Sequence, residues 1–221
     1  MKKYKLGIGI PYYVNGKICE WLFKYLMQII NYQLTEKMKL VVYEDGQYSH
    51  WLDEYNKDNI IKIRKDNQGL GHARNMILDE CKDCEYIVFI DSDDRISSTY
   101  LKDILETLEK DNYSKDVYMT NFFINNGKFE RDGIKAHCTG MVYNINFLKD
   151  IRFNENRNFG EDLEFNNIVK EYNPSFDYID TDYYYNYGIN NNCISYMYAR
   201  NEINEFKEGS DVQVNTNTNA L

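Results

Sequence analysis

Asp91-Ser92-Asp93-Asp94 follows directly on the apolar run Tyr86-Ile87-Val88-Phe89-Ile90. Carboxylates crowded at the end of a buried strand are costly like charges that call for a compensating cation. Hard divalent ions such as Mg²⁺ or Mn²⁺ take oxygen ligands and often bind through one or two carboxylates plus substrate phosphates. In an open α/β sheet, ligands collect just beyond the carboxyl ends of the strands. The segment therefore reads as a metal-assisted diphosphate site. Asp91 and Asp93, two positions apart, point to one side of an extended backbone. The plainer alternative is a polar loop in which Ser97 or Ser98 caps the following helix. An EF-hand loop is excluded, because Arg95 and Ile96 stand where it needs an oxygen ligand and then glycine.

Four further segments carry chemistry: Pro11-Tyr12-Tyr13-Val14-Asn15, Glu44-Asp45-Gly46, Asn67-Gln68-Gly69-Leu70-Gly71-His72-Ala73-Arg74-Asn75, and Phe159-Gly160-Glu161-Asp162. A carboxylate at a strand end, such as Asp45, can accept the imide hydrogen of uracil; the plainer alternative is a turn residue before Gly46. The planar fork of Arg74 suits a diphosphate or a carboxylate, or Arg74 lies on the surface paired with Asp79 or Glu80. Glu161-Asp162 opens a helix, where acidic residues also favour the macrodipole.

The elements that must position these residues alternate. Strands are expected over Lys5–Ile10, Lys39–Tyr43, Ile60–Ile63 and Tyr86–Ile90. Helices are expected over Lys17–Asn31, Ser49–Tyr55 (short) and Gly71–Cys81, and another through Leu101, Ile104, Leu105 and Leu108. In the first of these helices Ile18, Trp21, Leu22, Tyr25, Leu26, Ile29 and Ile30 keep helical spacing. This alternation argues for a parallel α/β sheet. Beyond it the texture changes. Val117–Ile124 and Lys128–Arg131 flank an Asn125-Asn126-Gly127 hairpin turn, Thr139–Tyr143 is a strand, Glu161–Tyr172 a helix and Tyr178–Tyr187 an aromatic strand.

In this order the segments resemble the family 2 glycosyltransferases, with Tyr183-Tyr184-Tyr185-Asn186-Tyr187 and Ile194-Ser195 as the last matching pieces. The resemblance implies an α/β GT-A fold, with a mostly parallel central sheet flanked by helices and a mixed C-terminal half. It implies a metal-dependent, inverting transfer of a sugar from a nucleotide donor, UDP above all, to a hydroxyl of a glycan or glycolipid acceptor. By similarity, Pro11 and Tyr13 lie along the nucleoside, Arg74 meets the diphosphate, and Asp91 and Ser92 face the ribose. Asp93, with Asp91, holds Mn²⁺ or Mg²⁺, while Asp94 supports the loop. Asp162 becomes the general base toward the acceptor hydroxyl, and Glu161 helps hold the acceptor. A retaining transferase, or a catalytically silent module binding nucleotide sugar or a partner, stays open beside this.

The remaining features narrow the class. One core fits 221 residues, expected as a domain over 1–208 with a polar, disordered tail over 209–221. A net charge of −9 and the absence of a clustered basic patch argue against nucleic-acid binding. No apolar stretch reaches the length of a membrane span, and Gly7, Gly9 and Pro11 break any leader-like segment. The five scattered cysteines suit reduced thiols, so a cytoplasmic location is expected, with room for peripheral contact at the inner face of the membrane. Gly69-Leu70-Gly71-His72-Ala73-Arg74 lacks the third glycine of a dinucleotide fingerprint. Cys81-Lys82-Asp83-Cys84 has no second pair at zinc spacing and reads as helix-end cysteines. His137 reads as a loop histidine on the acceptor side. Relatives often place a basic residue near Asn186, and none stands here before Arg200.

Overall fold

The computed structural model describes residues 2–13, 17–46, 48–125, 127–129, 133–134, 137–186, 205 and 207. Val14, Asn15, Asn126, Arg131, Tyr187, Ile194-Ser195, Arg200 and the 209–221 tail lie outside them.

Strands β1 (Tyr4–Tyr12), β2 (Met38–Asp45), β3 (Ile60–Lys65) and β4 (Cys84–Phe89) run parallel, in the order β3-β2-β1-β4. They are apolar almost throughout because helices cover both faces. On one face α1 (Lys17–Gln33) and α3 (Tyr100–Lys110) pack with Leu6, Ile8, Leu40, Val42 and Val88. On the other, α2 (Leu70–Glu80) and α5 (Glu161–Glu171) pack with Val41, Tyr43, Ile87 and Phe89. The sheet continues through β8 (Met141–Asn144), β6 (Val117–Ile124), β9 (Phe176–Tyr185) and β5 (Arg95–Ile96), with β7 (Gly127–Phe129) hairpinned onto β6. β8 is antiparallel to both β4 and β6, and β6 is parallel to β9. The C-terminal half is thus mixed, as expected. A short helix, α4 (Ile145–Leu148), follows β8.

Three local expectations change. Pro11 does not end β1, which pairs with β2 through Pro11↔Tyr43 and Tyr12↔Glu44. Its missing N–H costs nothing there. The Gly9 carbonyl takes the Ile90 N–H at 3.0 Å, and Pro11 falls on that same edge beyond the last pair with β4. In α1 the buried face is Leu22, Phe23, Leu26, Met27 and Ile30, so Trp21 and Tyr25 turn to solvent at 65% and 45% exposure. Seven apolar positions spread wider than one helical face, and Phe23 and Met27 decide which side is inward. The α3 N-cap is Thr99, whose hydroxyl bonds the Asp103 carboxylate; Ser97 instead meets the Thr181 hydroxyl.

Candidate active site

The strand ends that carry the carboxylates share one edge of the sheet. Asp45 closes β2, and Asp91 to Asp94 follow β4 directly. Tyr13, half exposed, follows β1; its ring comes within 3.5 Å of where a Cβ on Gly46 would sit, and Gly46 adopts φ +118°. The positive φ is what calls for glycine there; a Cβ would meet the ring only at ordinary contact distance.

Asp45 is buried, and both of its oxygens are used. Oδ1 accepts from the Gln68 N–H (2.8 Å) and Oδ2 from the Gly69 N–H (3.0 Å). It is therefore more than a turn residue: it ties the loop before α2 to the end of β2. Its neighbour Glu44 turns the other way, accepting from Arg64 and from the Ser49 N–H.

Arg74 is not the surface residue paired with Asp79 or Glu80. It is buried, and its fork divides between two carboxylates, Nη2 donating to Asp91 (2.9 Å) and Nη1 to Glu161 (2.5 Å). Phe153 lies beneath the guanidinium, 5.4 Å from ring centroid to carbon, and stacks on Phe165 at 4.0 Å. Asn75 fixes Phe153 by a two-way amide pairing, Nδ2 to the Phe153 carbonyl and the Phe153 N–H to Oδ1, each 2.9 Å. Burial pulls Arg74 down, but the negative charge around it, the carboxylates of Asp91, Glu161 and Asp162 included, holds it well above the ordinary arginine range. Asp79 bonds Lys82 and Arg152 instead, and Glu80 bonds Lys39.

The Asp cluster is unequal. Asp94 is fully inside, accepting from the Tyr183 hydroxyl (2.5 Å) and the Asn186 N–H (2.9 Å), and burial beside Asp93 and Asp91 raises it well above the carboxylate range. Tyr183 also receives the Asp91 N–H at 3.2 Å, and the Asn186 amide donates to the Asp93 carbonyl at 2.6 Å. So Asn186, where a cation was missed, instead braces the loop. Ser92 is half-buried between the two aspartates. Burial and the Asp91 charge raise Asp93 to about 6. No other described side chain bonds its carboxylate.

Among the described residues no group of three or more His, Cys, Asp or Glu side chains forms a metal cage. The fit is to a smaller demand: Asp91 and Asp93 are hard oxygen donors, and Asp93 carries a charge that no described cation answers. Such a pair suits an ion that keeps waters and takes phosphate oxygens from its substrate.

On the other side of Arg74, α5 starts at Glu161, after Gly160 in the left-handed region. Glu161 is consumed by Arg74, whereas Asp162 keeps 22% of its side chain accessible, accepts from the Leu163 N–H at 2.8 Å, and lies 3.6 Å from His137 Nδ1. Burial pushes Asp162 up, but His137 and Arg74 outweigh it and leave the carboxyl below its ordinary range. The partnerships of Arg74 with Glu161, Tyr183 with Asp94 and His137 with Asp162 were not visible in the sequence. Only the tyrosine-rich strand gave a signal, and it did not say which ring would reach the loop.

A parallel β3-β2-β1-β4 sheet with carboxylates at its carboxyl edge, extended by a mixed C-terminal half, is the GT-A glycosyltransferase architecture. The chain belongs to that class's family 2: the model of Glycosyl transferase family 2 matches residues 8–188. Two curated relatives are the minor teichoic acid biosynthesis protein GgaB of Bacillus subtilis, 28% identical over 51% of this chain, and the cholesterol galactosyltransferase of Borreliella burgdorferi, 29% identical over 55%. The matched regions span only 14% and 34% of those proteins. Among solved structures, S. aureus TarS 1-349 shares the fold with a TM-score of 0.68 and 22% identity, over 82% of this chain and 60% of that one. TarS 1-349 in complex with UDP gives a TM-score of 0.69 at 21% identity, over the same shares.

Proposed function

We propose that this chain transfers a sugar, with inversion and a divalent ion, from a UDP-linked donor to a hydroxyl of a glycan or glycolipid. The observation that carries the reading is the bridge from Asp91 through Arg74 to Glu161, which joins the strand-end carboxylates to the start of α5, where Asp162 stands. The TarS complexes with UDP and UDP-GlcNAc support a nucleotide-sugar donor. The names of the two curated relatives support a glycan or lipid acceptor. No helix among the described residues is long and apolar enough to cross a membrane; the proposed place of action is the cytoplasm, with peripheral contact at the membrane's inner face.

In this reading Pro11 and Tyr13 line the nucleoside. Asp45, whose oxygens each retain a lone pair beyond the loop amides, accepts the uracil imide hydrogen. Asp91 and Ser92 face the ribose, and Asp93, helped by Asp91, holds Mn²⁺ or Mg²⁺. The bound ion supplies charge neutralisation on the departing diphosphate. Arg74 sets the position of Asp91 and Glu161 and lends its positive field to the diphosphate side. Glu161 frames the acceptor side. Asp162, held ionised, takes the proton of the acceptor hydroxyl as that oxygen attacks the anomeric carbon. A retaining course would leave this accessible, ionised carboxylate without a task.

The test is calorimetric titration of UDP with and without Mn²⁺ on wild type and Asp93→Ala, followed by UDP-sugar hydrolysis. Metal-dependent binding that disappears in the variant is the expected result. Absence of UDP binding under every metal condition would overturn the donor assignment.

A further inference from the structure

His137 lies in the segment before β8 and is the one described imidazole that meets the accessible acceptor-side carboxylate. Its ring packs against two others that also meet each other, 5.3 Å and 19° from Phe122 and 4.8 Å and 41° from Tyr185. Those rings come from neighbouring strands β6 and β9, so the imidazole is oriented by the sheet and not by its own loop. Held there, Nδ1 lies 3.6 Å from Asp162 Oδ2, and the opposite oxygen, Oδ1, accepts from the Leu163 N–H at 2.8 Å. Each oxygen of Asp162 thus has one fixed neighbour, and each has a lone pair left over.

We infer that His137 is a positioning residue for the transfer. Its Nδ1–H directs one oxygen of Asp162 so that the free lone pair of the carboxylate faces the incoming acceptor hydroxyl. The inference rests on the reading of Asp162 as general base. It requires the tautomer or protonation state that carries hydrogen on Nδ1. The other groups around Asp162 are Arg74 from α2, Glu161 at the head of α5, and the Cys138 thiol beside His137. Arg74 is committed to Asp91 and Glu161, and burial holds the Cys138 thiol protonated, well above the ordinary range. His137 is therefore the only described neighbour on the accessible side of Asp162 that can steer that carboxylate by a side-chain donor.

Two replacements separate the Nδ1 contact with Asp162 from ring packing. His137→Phe keeps an aromatic ring against Phe122 and Tyr185 and removes the donor; His137→Asn gives up the ring and keeps an N–H near the Nδ1 position. Sugar transfer, UDP affinity and thermal melting would be measured on both, alongside Asp162→Asn. The expected result is that His137→Phe melts and binds UDP like wild type. Its kcat for transfer falls about 10- to 100-fold, a part of the 10²–10⁴-fold typical of general-base catalysis, with acceptor KM little changed. Its acid limb also moves to higher pH, because Asp162 loses a donor that favours its charged form. His137→Asn should recover most of that kcat. Equal kcat in wild type and His137→Phe, or a loss in His137→Asn as deep as in His137→Phe, overturns the positioning role while leaving Asp162 in place. Full transfer by Asp162→Asn would instead overturn the base assignment on which it rests.

Discussion

Arg74 and Glu161 stand 87 positions apart in the chain and meet as an ion pair with almost no solvent on either partner, at 2% and 5% side-chain exposure. Arg74 also reaches Asp91, so one guanidinium bonds both the first carboxylate after β4 and the first residue of α5. Removing either partner of a buried pair leaves an uncompensated charge, which costs about 3–5 kcal/mol. Arg74→Met should lower the unfolding free energy by about that amount in urea titrations. Glu161→Gln, which keeps an acceptor for the Arg74 fork, should cost less. Equal stability of Arg74→Met and wild type would show that the pair is not closed in solution.

Asp93 gives a prediction of opposite sign. Its carboxyl is raised to about 6, against about 3.9 in an unfolded chain. Between those values the folded protein holds a proton that the unfolded chain has released, so stability declines as pH rises through that window. Above it the charge costs about 1–3 kcal/mol at about 1.4 kcal/mol per unit. Asp93→Asn should therefore melt higher than wild type at pH 8 without metal, and the two melting curves should converge near pH 4. No gain at pH 8 would mean that the carboxylate is better solvated than its setting implies.

Gly71 sits in the first turn of α2 against the backbone of the segment that leads into α5. A Cβ there would lie 2.6 Å from the Asn154 carbonyl oxygen, a group that cannot swing aside as a side-chain end can. Alanine ordinarily favours a helix over glycine by about 1 kcal/mol, but the overpacking costs about 1–3 kcal/mol. Gly71→Ala should lose stability on balance. A more stable variant in chemical denaturation would show that this segment yields easily.

Asp45→Ala would leave the Gln68 and Gly69 amides without their acceptor, each a loss of about 1–3 kcal/mol if they stay buried. It also removes the proposed partner of the uracil imide. UDP binding should weaken at least about tenfold, equivalent to 1.4 kcal/mol, by calorimetry with Mn²⁺ present. Asp45→Asn retains one carbonyl acceptor and should hold the loop better than it holds UDP. A variant that unlocks the loop and yet binds UDP normally would move base recognition elsewhere.

The parallel half was legible because its strands are continuous apolar runs and its helices keep an apolar period; these are local properties of the chain. So was the placing of Asp45 and Asp91 at strand ends. What was hidden depends on distant contacts. Nothing near Arg74 in sequence announces Glu161, and the surface pairing with Asp79 or Glu80, five and six positions on, is not one that helical spacing brings together. The outward turn of Trp21 and Tyr25 has a related cause. Periodicity identifies a helix, but its inward direction is set by the sheet beneath it. Short strands such as Arg95–Ile96 leave no period at all; their pairing to Tyr183 and Tyr184 comes from the chain end opposite.

Tyr183 carries one more consequence. Its hydroxyl holds Asp94 and receives the Asp91 amide, although it belongs to the last described strand and the loop it serves belongs to the first half of the chain. The early α/β segment looks like a detachable nucleotide-binding module, but its most charged turn is finished by a residue about ninety positions later. A fragment ending after α3 would leave that turn unbraced, its acidic side chains exposed to one another with no hydroxyl to order them. During synthesis, donor-binding competence should therefore emerge only when the aromatic strand has left the ribosome.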